Sequence, residues 1–310
     1  MRVLVPDQRL ADALAPLAVE HPALQVVVWH IDSGTAPPAA DVLVTERPTS
    51  PERFPLPSAV PGLRHVHLLS LGYEWIVPHV PPGATVTNSR GAIEDATAEL
   101  ALALVLAALR DLPRAHAQQR AHTWQGYFTG SLHGARVLVL GHGGVGSAVV
   151  RRLEPFAPAA VTVTASRART APDGRRVHGP EDLPELFRTA DVVVVTLPHE
   201  ASTEGLVGAE LLARIPDGGL LVNVGRGAVV DTDALVAELR TGRLRAAMDV
   251  VEPEPLPPGH PLWDLPGCLV VPHNGGSTYE FERLATHLVT DQVRRLLTGE
   301  PVLNTVLPAG

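Results

Sequence analysis

Short runs of apolar residues alternate with segments of mixed polarity along the whole chain. In the first third these runs fall at 3–5, 24–28, 42–44 and 64–69, separated by helical or proline-rich segments. Further along, the pattern sharpens into apolar runs at 136–140, 160–164, 191–196, 219–224, 244–250 and 268–272. Strands that are apolar almost throughout, with helices between them, are typical of parallel sheets covered on both faces. The pattern predicts an α/β fold whose second half is a doubly wound parallel sheet.

Helical segments are predicted between most of these strands. They cover 145–154, 181–188, 208–214 and 231–241. A segment rich in alanine and leucine, 96–110, is apolar nearly all round and should be buried between packed elements. Near the end, a helix over 278–298 stops at Gly299 and is followed by a short apolar run, 302–306. The proline-dense stretch 48–61 predicts an extended surface connection.

The composition limits the class of protein. With 310 residues the chain can form two domains, each with its own core. Its net charge of −8 argues against a general nucleic-acid binder, which needs a basic face. The first residues lack the apolar run and cleavage site of a signal peptide, and the most apolar segment, 96–109, is too short to span a bilayer. The sequence predicts a cytoplasmic protein that binds neither nucleic acid nor membrane.

The side-chain inventory excludes several chemistries. All 25 basic residues other than histidine are arginine, so no lysine is present to form a Schiff base or act as a base. The one cysteine, Cys268, cannot form an intrachain disulfide or a multi-cysteine zinc site. Its apolar, strand-like surroundings predict a buried thiol rather than a nucleophile. No metal site is predicted.

A glycine-rich loop follows the strand at 136–140. The strand leads into Gly141-His142-Gly143-Gly144-Val145-Gly146, and a helix rich in alanine and valine follows. In this context Gly141 makes the tight turn, Gly143 lets the backbone approach a pyrophosphate, and Gly146 lets helix and strand pack closely. The helix N-terminus adds free N–H groups for the phosphates. The loop predicts a dinucleotide site at 141–146, and the alternative is a glycine-rich turn of another α/β protein.

The end of the next strand bears on which dinucleotide binds. NAD-specific sites place Asp or Glu about 20 residues after the glycines, where the carboxylate holds the ribose 2′-hydroxyl. Here that position is Ser166, followed by Arg167 and then Arg169. A hydroxyl and permanently charged guanidinium groups suit a 2′-phosphate. We predict NADP(H), with Arg167 the main contact and Arg169 a second; the alternative is that both arginines are solvated and NAD(H) is also used.

Three later strands each end beside a polar or charged residue. The first leads to Gly225-Arg226-Gly227, the second contains Asp249 and leads to Glu252-Pro253-Glu254-Pro255, and the third leads to His273. Ligands of open parallel sheets bind beyond the carboxyl ends of the strands, so Arg, Glu and His should reach the same edge as the glycine loop. Taken singly, each could be a structural or solvated residue. Their joint placement predicts an active site.

These side chains suit the reduction of a 2-oxo acid. Arg226 can hold the carboxylate and polarise the ketone oxygen. His273 is the natural proton donor to a developing alkoxide near neutral pH. A carboxylate on the other ring nitrogen would fix the histidine tautomer. Both Glu252 and Glu254 precede proline, and either could play this role.

The sequence resembles the D-isomer-specific 2-hydroxyacid dehydrogenase family over nearly its whole length. The motifs that carry the resemblance, in order, are 88–91, Ala98-Glu99, the glycine loop, Leu197-Pro198 with Thr203, 223–227, Asp249-Val250 with Glu254-Pro255, Pro261-Leu262-Trp263 and Pro272-His273. Within the family, Ser166-Arg167 resembles the branch of NADPH-using glyoxylate and hydroxypyruvate reductases. That branch favours a small 2-oxo acid as substrate.

The resemblance implies roles for individual residues. Arg226, Glu254 and His273 would be catalytic, and Asp249 would lie near the nicotinamide carboxamide. The loop 70–73 would offer backbone N–H groups to the substrate carboxylate, so that the substrate site comprises Leu71, Gly72, Tyr73, Arg226 and His273. The further cofactor contacts that it implies are Leu197, Pro198, Thr203, Val224, Gly225, Arg226, Asp249, His273 and Gly275.

The resemblance also implies a discontinuous architecture and a homodimer. A flavodoxin-like α/β substrate domain would comprise 1–95 and 277–310, and a Rossmann-type dinucleotide domain would comprise 96–276. The homodimer would be built around 96–110. Two residues depart from the family pattern: Glu74 stands where aspartate is usual, and Asn274 is unusual after the histidine.

Two rival functions stay open from the sequence. A non-catalytic dinucleotide-sensing regulator on the same fold would keep the glycine loop but would have little need for Arg226, Glu254 and His273 together. A relative that acts on formate or phosphite would have no ketone to protonate and would need different substrate contacts. Assays of cofactor oxidation over a panel of 2-oxo acids separate a reductase from the sensor.

Overall fold

The chain divides into two compact units in the computed structural model, which describes residues 1–309. The first unit comprises Met1–Ile93 together with the chain from Thr278 onward, and the second comprises Glu94–Ser277. The sequence-based division into domains, which stays a prediction, has its boundaries at 95/96 and 276/277. No helix within residues 1–309 is long and apolar enough to cross a membrane.

The first unit begins with parallel strands that alternate with helices and turns. Its elements are β1 (Arg2–Val5), α1 (Gln8–Glu20), β2 (Gln25–Val28), β3 (Val42–Thr45), β4 (His65–Leu68) and β5 (Thr85–Asn88). Strand β5 was not predicted, because its threonines alternate with Val86 and leave no apolar run. The proline-dense stretch contains short 3₁₀ turns, at Pro51–Arg53 and Leu56–Ala59, in place of the predicted extended connection. The fixed φ of proline is compatible with such turns.

The second unit holds the sheet that the apolar runs predict. Its elements are α2 (Glu94–Leu109), α3 (Leu112–Arg120), β6 (Arg136–Leu140), α4 (Gly144–Leu153), β7 (Ala160–Thr164), β8 (Arg169–Thr170), β9 (Arg176–His178), α5 (Leu183–Thr189), β10 (Val192–Val195), α6 (Ala209–Leu212), β11 (Leu220–Asn223), α7 (Thr232–Arg240), β12 (Arg245–Met248) and β13 (Cys268–Val270). The strand order is β13-β12-β11-β10-β6-β7-β9-β8, with β8 antiparallel to β9 and the others parallel. From β9 to β12 this is the order of a Rossmann sheet.

Side chains from successive residues of β6 enter two separate apolar clusters. Val137 and Val139 belong to a cluster shared with α2 and α4. Leu138 and Leu140 belong to a second cluster, shared with α5 and α7. Because side chains alternate along a strand, helices cover both faces of this sheet. The predicted burial of α2 is confirmed, since Ala98, Ala101 and Val105 have no exposed surface.

Three elements of the second unit, α3 and the strands β8 and β9, were not predicted. Helix α3 has no buried residue, so its sequence shows no apolar periodicity. The hairpin β8–β9 consists of strands of two and three residues, too short to form an apolar run. One predicted helix, over 208–214, is reduced to the single turn of α6.

The last two elements, α8 (Tyr279–Thr298) and β14 (Thr305–Leu307), return to the first unit. The strand order there is β14-β5-β4-β3-β1-β2, and only β14 runs antiparallel to its neighbour. Strands β1 to β5 thus have the 2-1-3-4-5 order of flavodoxin-like folds. The predicted α/β fold class, with a Rossmann-type sheet and a discontinuous flavodoxin-like unit, is confirmed.

A row of buried polar side chains crosses β4 and β5 in this unit. The hydroxyl of Thr87 lies 3.0 Å from His65 Nε2 and 2.9 Å from His67 Nδ1. Burial lowers the pKa of His65 to about 4, and burial together with the neighbouring His65 lowers the pKa of His67 to about 3. Both rings are therefore neutral at neutral pH, and the hydrogen bonds compensate for their burial.

Candidate active site

The glycine loop joins β6 to α4 where the strand order of the second sheet reverses, between β6 and β10. Gly141 has a φ of +103°, which residues with a side chain rarely adopt. A Cβ at Gly146 would lie 2.0 Å from the carbonyl oxygen of Gly141. These two positions therefore require glycine, for the turn and for the close approach of helix to loop.

Thr196, directly after β10, secures this turn. Its hydroxyl donates a hydrogen bond to Leu140 O at 2.9 Å. A Cβ at Gly141 would lie 2.7 Å from the same hydroxyl oxygen, so the threonine fills the space that the glycine leaves. Thr196 was not among the residues predicted from the sequence. The sequence feature that could have pointed to Thr196 is a hydroxyl residue directly after an apolar strand that pairs with the strand before the glycine loop.

A cavity of about 390 Å³ lies beside the loop. The predicted cofactor-binding residues that line it are Gly141, His142, Gly143, Ser166, Arg169, Leu197, Pro198 and Thr203. Residues that line it without having been predicted include Thr164, Pro180, Leu183, Thr196, Glu200 and Ser202. A Cβ at Gly143 would meet no atom within 4 Å, so the loop leaves open space where a pyrophosphate binds in such folds. The cavity and its mixed apolar and hydroxyl lining therefore fit the adenosine and pyrophosphate part of a dinucleotide.

The other predicted cofactor-binding residues lie outside this cavity lining. They are Gly144, Val145, Gly146, Arg167, Val224, Gly225, Arg226, Asp249, His273 and Gly275. Gly144, Val145 and Gly146 form the first turn of α4. Val224 and Gly225 continue directly from β11, and the backbone N–H of Val224 donates to Val195 O at 3.0 Å.

The two arginines predicted to bind a 2′-phosphate differ in position. Arg169 is the first residue of β8, lines the cavity, and donates from Nη2 to His142 O at 3.4 Å. Arg167 is exposed and lies in the bend between β7 and β8. The hairpin β8–β9 fixes the backbone at Arg169, and this hairpin was not apparent from the sequence. That Arg167 is the main contact and Arg169 a second stays a prediction.

His142 lines the cavity from within the glycine loop. Burial, and then the charge of Arg169, lowers the pKa of the His142 imidazole. The ring is therefore neutral at neutral pH and adds no charge for a phosphate. Beyond β10, Thr203 donates to Pro198 O at 2.7 Å and accepts the Glu200 N–H at 2.9 Å, which fixes the Leu197-Pro198 turn.

Arg226 follows β11 on a turn that the side chain of Asn223 organises. The Asn223 Oδ1 accepts the Gly225 N–H at 3.0 Å, and its Nδ2 donates to Arg226 O at 2.9 Å. The guanidinium of Arg226 donates to Gly225 O at 2.8 Å. Asn223 is fully buried and was noted in the sequence only as part of a motif. The sequence feature that could have pointed to Asn223 is an amide side chain at the end of an otherwise apolar strand.

The imidazole of His273 is paired with a carboxylate. Its Nδ1 lies 2.6 Å from Glu254 Oε1, and the two side chains are 40% and 28% exposed. Glu254 is thus the glutamate that contacts the histidine, while Glu252 is exposed and its backbone carbonyl accepts the Thr232 hydroxyl. The pair leaves Nε2 as the ring nitrogen that can exchange a proton with another molecule.

Asp249 fixes the backbone around His273. Its carbonyl accepts the His273 N–H at 2.9 Å, and its carboxylate accepts the N–H groups of Asn274 at 2.6 Å and Gly275 at 3.1 Å. Burial raises the pKa of this carboxyl, and the two N–H groups and the nearby His273 oppose the rise. His273 itself has a φ of 52°. The left-handed backbone there is held by these three hydrogen bonds.

Cys268, in β13, is half-buried, whereas the sequence predicted a buried thiol. Burial raises its pKa to about 12. The thiol is therefore protonated at neutral pH and unsuited to act as a nucleophile.

Comparison with known proteins identifies the family. Residues 102–275, more than half of the chain, match the family model described as D-isomer specific 2-hydroxyacid dehydrogenase, NAD binding domain. The chain belongs to the D-isomer-specific 2-hydroxyacid dehydrogenase family. It is therefore a member of a family of nicotinamide-dependent oxidoreductases, as the sequence motifs predicted.

Individual members of the 2-hydroxyacid dehydrogenase family match most of the chain. It is 34% identical over 99% of its length to the D-3-phosphoglycerate dehydrogenase of Mycobacterium tuberculosis, but spans only 60% of that protein. It is 32% identical to glyoxylate/hydroxypyruvate reductase B of Pectobacterium atrosepticum, over 80% of each chain. The crystal structure of a D-isomer specific 2-hydroxyacid dehydrogenase from Xanthobacter autotrophicus Py2, in complex with NADPH and MES, matches with a TM-score of 0.79 at 32% identity, covering 98% of this chain and 97% of that chain.

Proposed function

We propose that this member of the 2-hydroxyacid dehydrogenase family reduces a small 2-oxo acid, of the glyoxylate or hydroxypyruvate kind, with NADPH. The observation that carries the proposal is the contact of 2.6 Å between His273 Nδ1 and Glu254 Oε1. His273 follows β13, and Arg226 lies on the turn that follows β11. In the sheet, only β12 lies between these two strands. A proton donor and a guanidinium at one sheet edge are what a ketone next to a carboxylate requires.

Each proposed catalytic side chain has a defined task. The bound nicotinamide would supply hydride to the carbonyl carbon. Arg226 would hold the substrate carboxylate and polarise the ketone oxygen. His273 would donate the proton of Nε2 to that oxygen, while Glu254 keeps the ring oriented and balances the charge of the imidazolium. Asp249 would keep the backbone of His273 in place through the three hydrogen bonds described above.

The choice of substrate class is supported by one of the comparisons and by the strand end at Ser166-Arg167. A relative named glyoxylate/hydroxypyruvate reductase B is 32% identical over 80% of both chains. Ser166-Arg167 resembles the same branch of the family. We therefore propose the smaller, unphosphorylated 2-oxo acids first. A relative named D-3-phosphoglycerate dehydrogenase is 34% identical over 99% of this chain, so a phosphorylated 2-oxo acid is included in the test.

The proposal is tested by cofactor oxidation over a panel of substrates, run with NADPH and with NADH. The panel comprises glyoxylate, hydroxypyruvate, pyruvate and 3-phosphohydroxypyruvate, with formate and phosphite assayed in the oxidising direction. We expect turnover of the small 2-oxo acids with NADPH. Tight NADPH binding with no turnover of any of them would support the sensor alternative, and turnover of formate or phosphite alone would support the other rival.

We also propose NADPH as the preferred cofactor, supported by Ser166 and Arg169 in the cavity lining and by the NADPH in a structural relative. Replacing Arg169 with glutamine should lower the ratio of kcat/KM for NADPH to that for NADH by about 10- to 100-fold. A charge-assisted hydrogen bond to phosphate is worth about 1.5–3 kcal/mol, and every 1.4 kcal/mol corresponds to tenfold. The kcat/KM for NADH should stay near its wild-type value.

Two further variants complete this experiment. Arg167→Gln tests the other predicted phosphate contact, and Arg176→Gln is the control. Arg176 lies on the same hairpin, in β9, and pairs loosely with Asp182 at 3.8 Å. Its replacement should leave the cofactor ratio unchanged. A larger loss in Arg167→Gln than in Arg169→Gln would make Arg167 the main contact, as the sequence predicts, and a wild-type preference for NADH would reject NADPH altogether.

A homodimer is the third proposal, and it rests on exposed aromatic residues after α3. Trp124 and Phe128 are fully exposed, and Leu112 is 53% exposed. The same segment is held onto α3 by Tyr127, whose hydroxyl donates to Asp111 O at 3.1 Å and whose ring lies 4.1 Å from the Arg114 guanidinium. Large apolar groups held outward by a fixed segment are typical of protein interfaces. Because much of α2 is buried within its own unit, we place the interface on α3 and residues 121–131.

Sedimentation of a variant with Trp124→Ser and Phe128→Ser tests the dimer. We expect the wild type to sediment as a dimer at micromolar concentration and the variant as a monomer. The control is Tyr279→Ser, which removes an aromatic residue that is 91% exposed in the first unit. A monomeric wild type, or a variant that stays dimeric, would contradict the proposed interface. The cytoplasmic location stays a prediction from the sequence.

A further inference from the structure

Three successive carbonyl groups after β4 are each held by a hydrogen bond. The bonds are Ser89 N–H to Ser70 O at 3.1 Å, Asn88 Nδ2 to Leu71 O at 2.9 Å, and Ser70 Oγ to Gly72 O at 2.7 Å. The three carbonyls belong to three consecutive peptide bonds. Every peptide plane from Ser70 to Tyr73 is therefore fixed, although the segment has no regular secondary structure.

Fixing these carbonyls also fixes the N–H groups on the same peptide planes. In a trans peptide the N–H points away from the C=O. The hydrogen bonds to Ser70 O, Leu71 O and Gly72 O thus set the directions of the N–H groups of the next residues, Leu71, Gly72 and Tyr73. Within residues 1–309, none of these three N–H groups donates a hydrogen bond. Three oriented donors with unused capacity suit a carboxylate, which accepts several N–H bonds.

We propose that Asn88 and Ser70 are positioning residues for the substrate carboxylate. Their side chains do not touch the substrate; they orient the peptide planes of Leu71-Gly72 and Gly72-Tyr73, whose N–H groups bind it. This inference rests on the proposed function, because the bound group is the carboxylate of the 2-oxo acid. It adds two residues that the family resemblance did not assign.

The side chain of Asn88 is itself held in one orientation. Asn88 is the last residue of β5 and is 4% exposed. Its Oδ1 accepts the Arg90 N–H at 3.3 Å, and its backbone N–H donates to Asn304 O at 3.2 Å. With Oδ1 bound to a donor, Nδ2 is the atom that faces Leu71 O. A flexible Asn88 side chain would leave the Leu71-Gly72 peptide plane free to rotate. Here both the Oδ1 and the Nδ2 of Asn88 are held by hydrogen bonds.

Ser70→Ala is the first test variant, since it removes only the hydroxyl that binds Gly72 O. We expect the KM for the 2-oxo acid to rise about 3- to 10-fold with a smaller change in kcat, as when one hydrogen bond that contributes equally to ground and transition states is lost. Ser70→Thr keeps the hydroxyl and should restore the KM. The Kd for NADPH, measured by fluorescence, should not change in either variant.

A comparison of the 2-oxo acid with its methyl ester separates positioning from a general structural defect. If the N–H groups bind the carboxylate, Ser70→Ala should lower kcat/KM for the acid and leave kcat/KM for the ester near its wild-type value. An equal loss on both substrates, or a wild-type KM for the acid, would overturn the inference. A wild type that reduces no 2-oxo acid would instead overturn the proposed function, and this inference with it.

Asn88→Asp is the second variant, because aspartate has the same shape but cannot donate to Leu71 O. Its matched control is Asn304→Asp, which removes a bond of the same kind, from Nδ2 to Arg90 O at 2.7 Å, away from the loop. We expect the selective loss on the acid in Asn88→Asp and not in Asn304→Asp. If circular dichroism shows that Asn88→Asp fails to fold, the Ser70 variants decide the matter alone. Equal losses in the two folded asparagine variants would remove Asn88 from the proposal.

Discussion

Replacing His273 with alanine should lower kcat for the 2-oxo acid by about 10²- to 10⁴-fold, the usual contribution of a general acid. The alkoxide that forms on reduction would then have to take its proton from water. The Kd for NADPH should change little, because the imidazole is outside the cavity beside the glycine loop. Steady-state kinetics together with a fluorescence titration of NADPH separate the two effects.

The matched control for this variant is His178→Ala. His178 also pairs with a carboxylate, at 2.7 Å from Asp182, but it lies on β9 and has no proposed role in the reaction. Its loss should leave kcat unchanged. Glu254→Gln should give a kcat between those of the wild type and His273→Ala, because the ring keeps a neighbour but loses the charge that balances the imidazolium. Near-normal turnover in His273→Ala would remove the histidine from the mechanism.

Replacing Arg226 with methionine should lower kcat/KM for the 2-oxo acid by about 10²- to 10³-fold. Two parallel charge-assisted hydrogen bonds to a carboxylate are lost, at about 1.5–3 kcal/mol each before compensation by water. We expect KM and kcat to worsen together, since the guanidinium would hold the carboxylate in the ground state and polarise the ketone in the transition state.

Arg226→Lys tests the geometry of the fork separately from its charge. Lysine keeps the positive charge but cannot bind a carboxylate with two parallel bonds, so it should recover only part of the activity. The control is Arg214→Met, a surface arginine whose partner is Glu210 at 3.0 Å. It should behave as the wild type. If Arg226→Met keeps its kcat/KM, the arginine does not bind the substrate.

The features that could be predicted from the sequence are those in which one residue type meets a strict physical requirement. The glycine loop is an example, because Gly141 needs a positive φ and Gly146 has no room for a Cβ. The ends of apolar strands are another, because parallel strands bring their carboxyl ends to one edge of the sheet. Both kinds of signal are local, so they can be read without knowledge of the tertiary structure.

The features that could not be predicted from the sequence depend on hydrogen bonds between residues that are distant along the chain. Thr196 secures a loop 55 residues away, and the amide of Asn88 holds a carbonyl 17 residues away. The hairpin β8–β9, which brings Arg169 to the cavity, has strands of two and three residues and no apolar pattern. Such positions become visible only when the hydrogen bonds between segments are known.

The most direct test of the proposed hydride transfer uses NADPH that carries deuterium at both C4 positions of the nicotinamide and follows the label into the product of the 2-oxo acid. The wild type is incubated with glyoxylate or hydroxypyruvate, and the product is examined by mass spectrometry. Hydride transfer from the nicotinamide to the carbonyl carbon predicts a 2-hydroxy acid with one deuterium on C2, and greatly reduced formation of it in His273→Ala. A product without deuterium, or no 2-hydroxy acid from either substrate with bound NADPH, would contradict it.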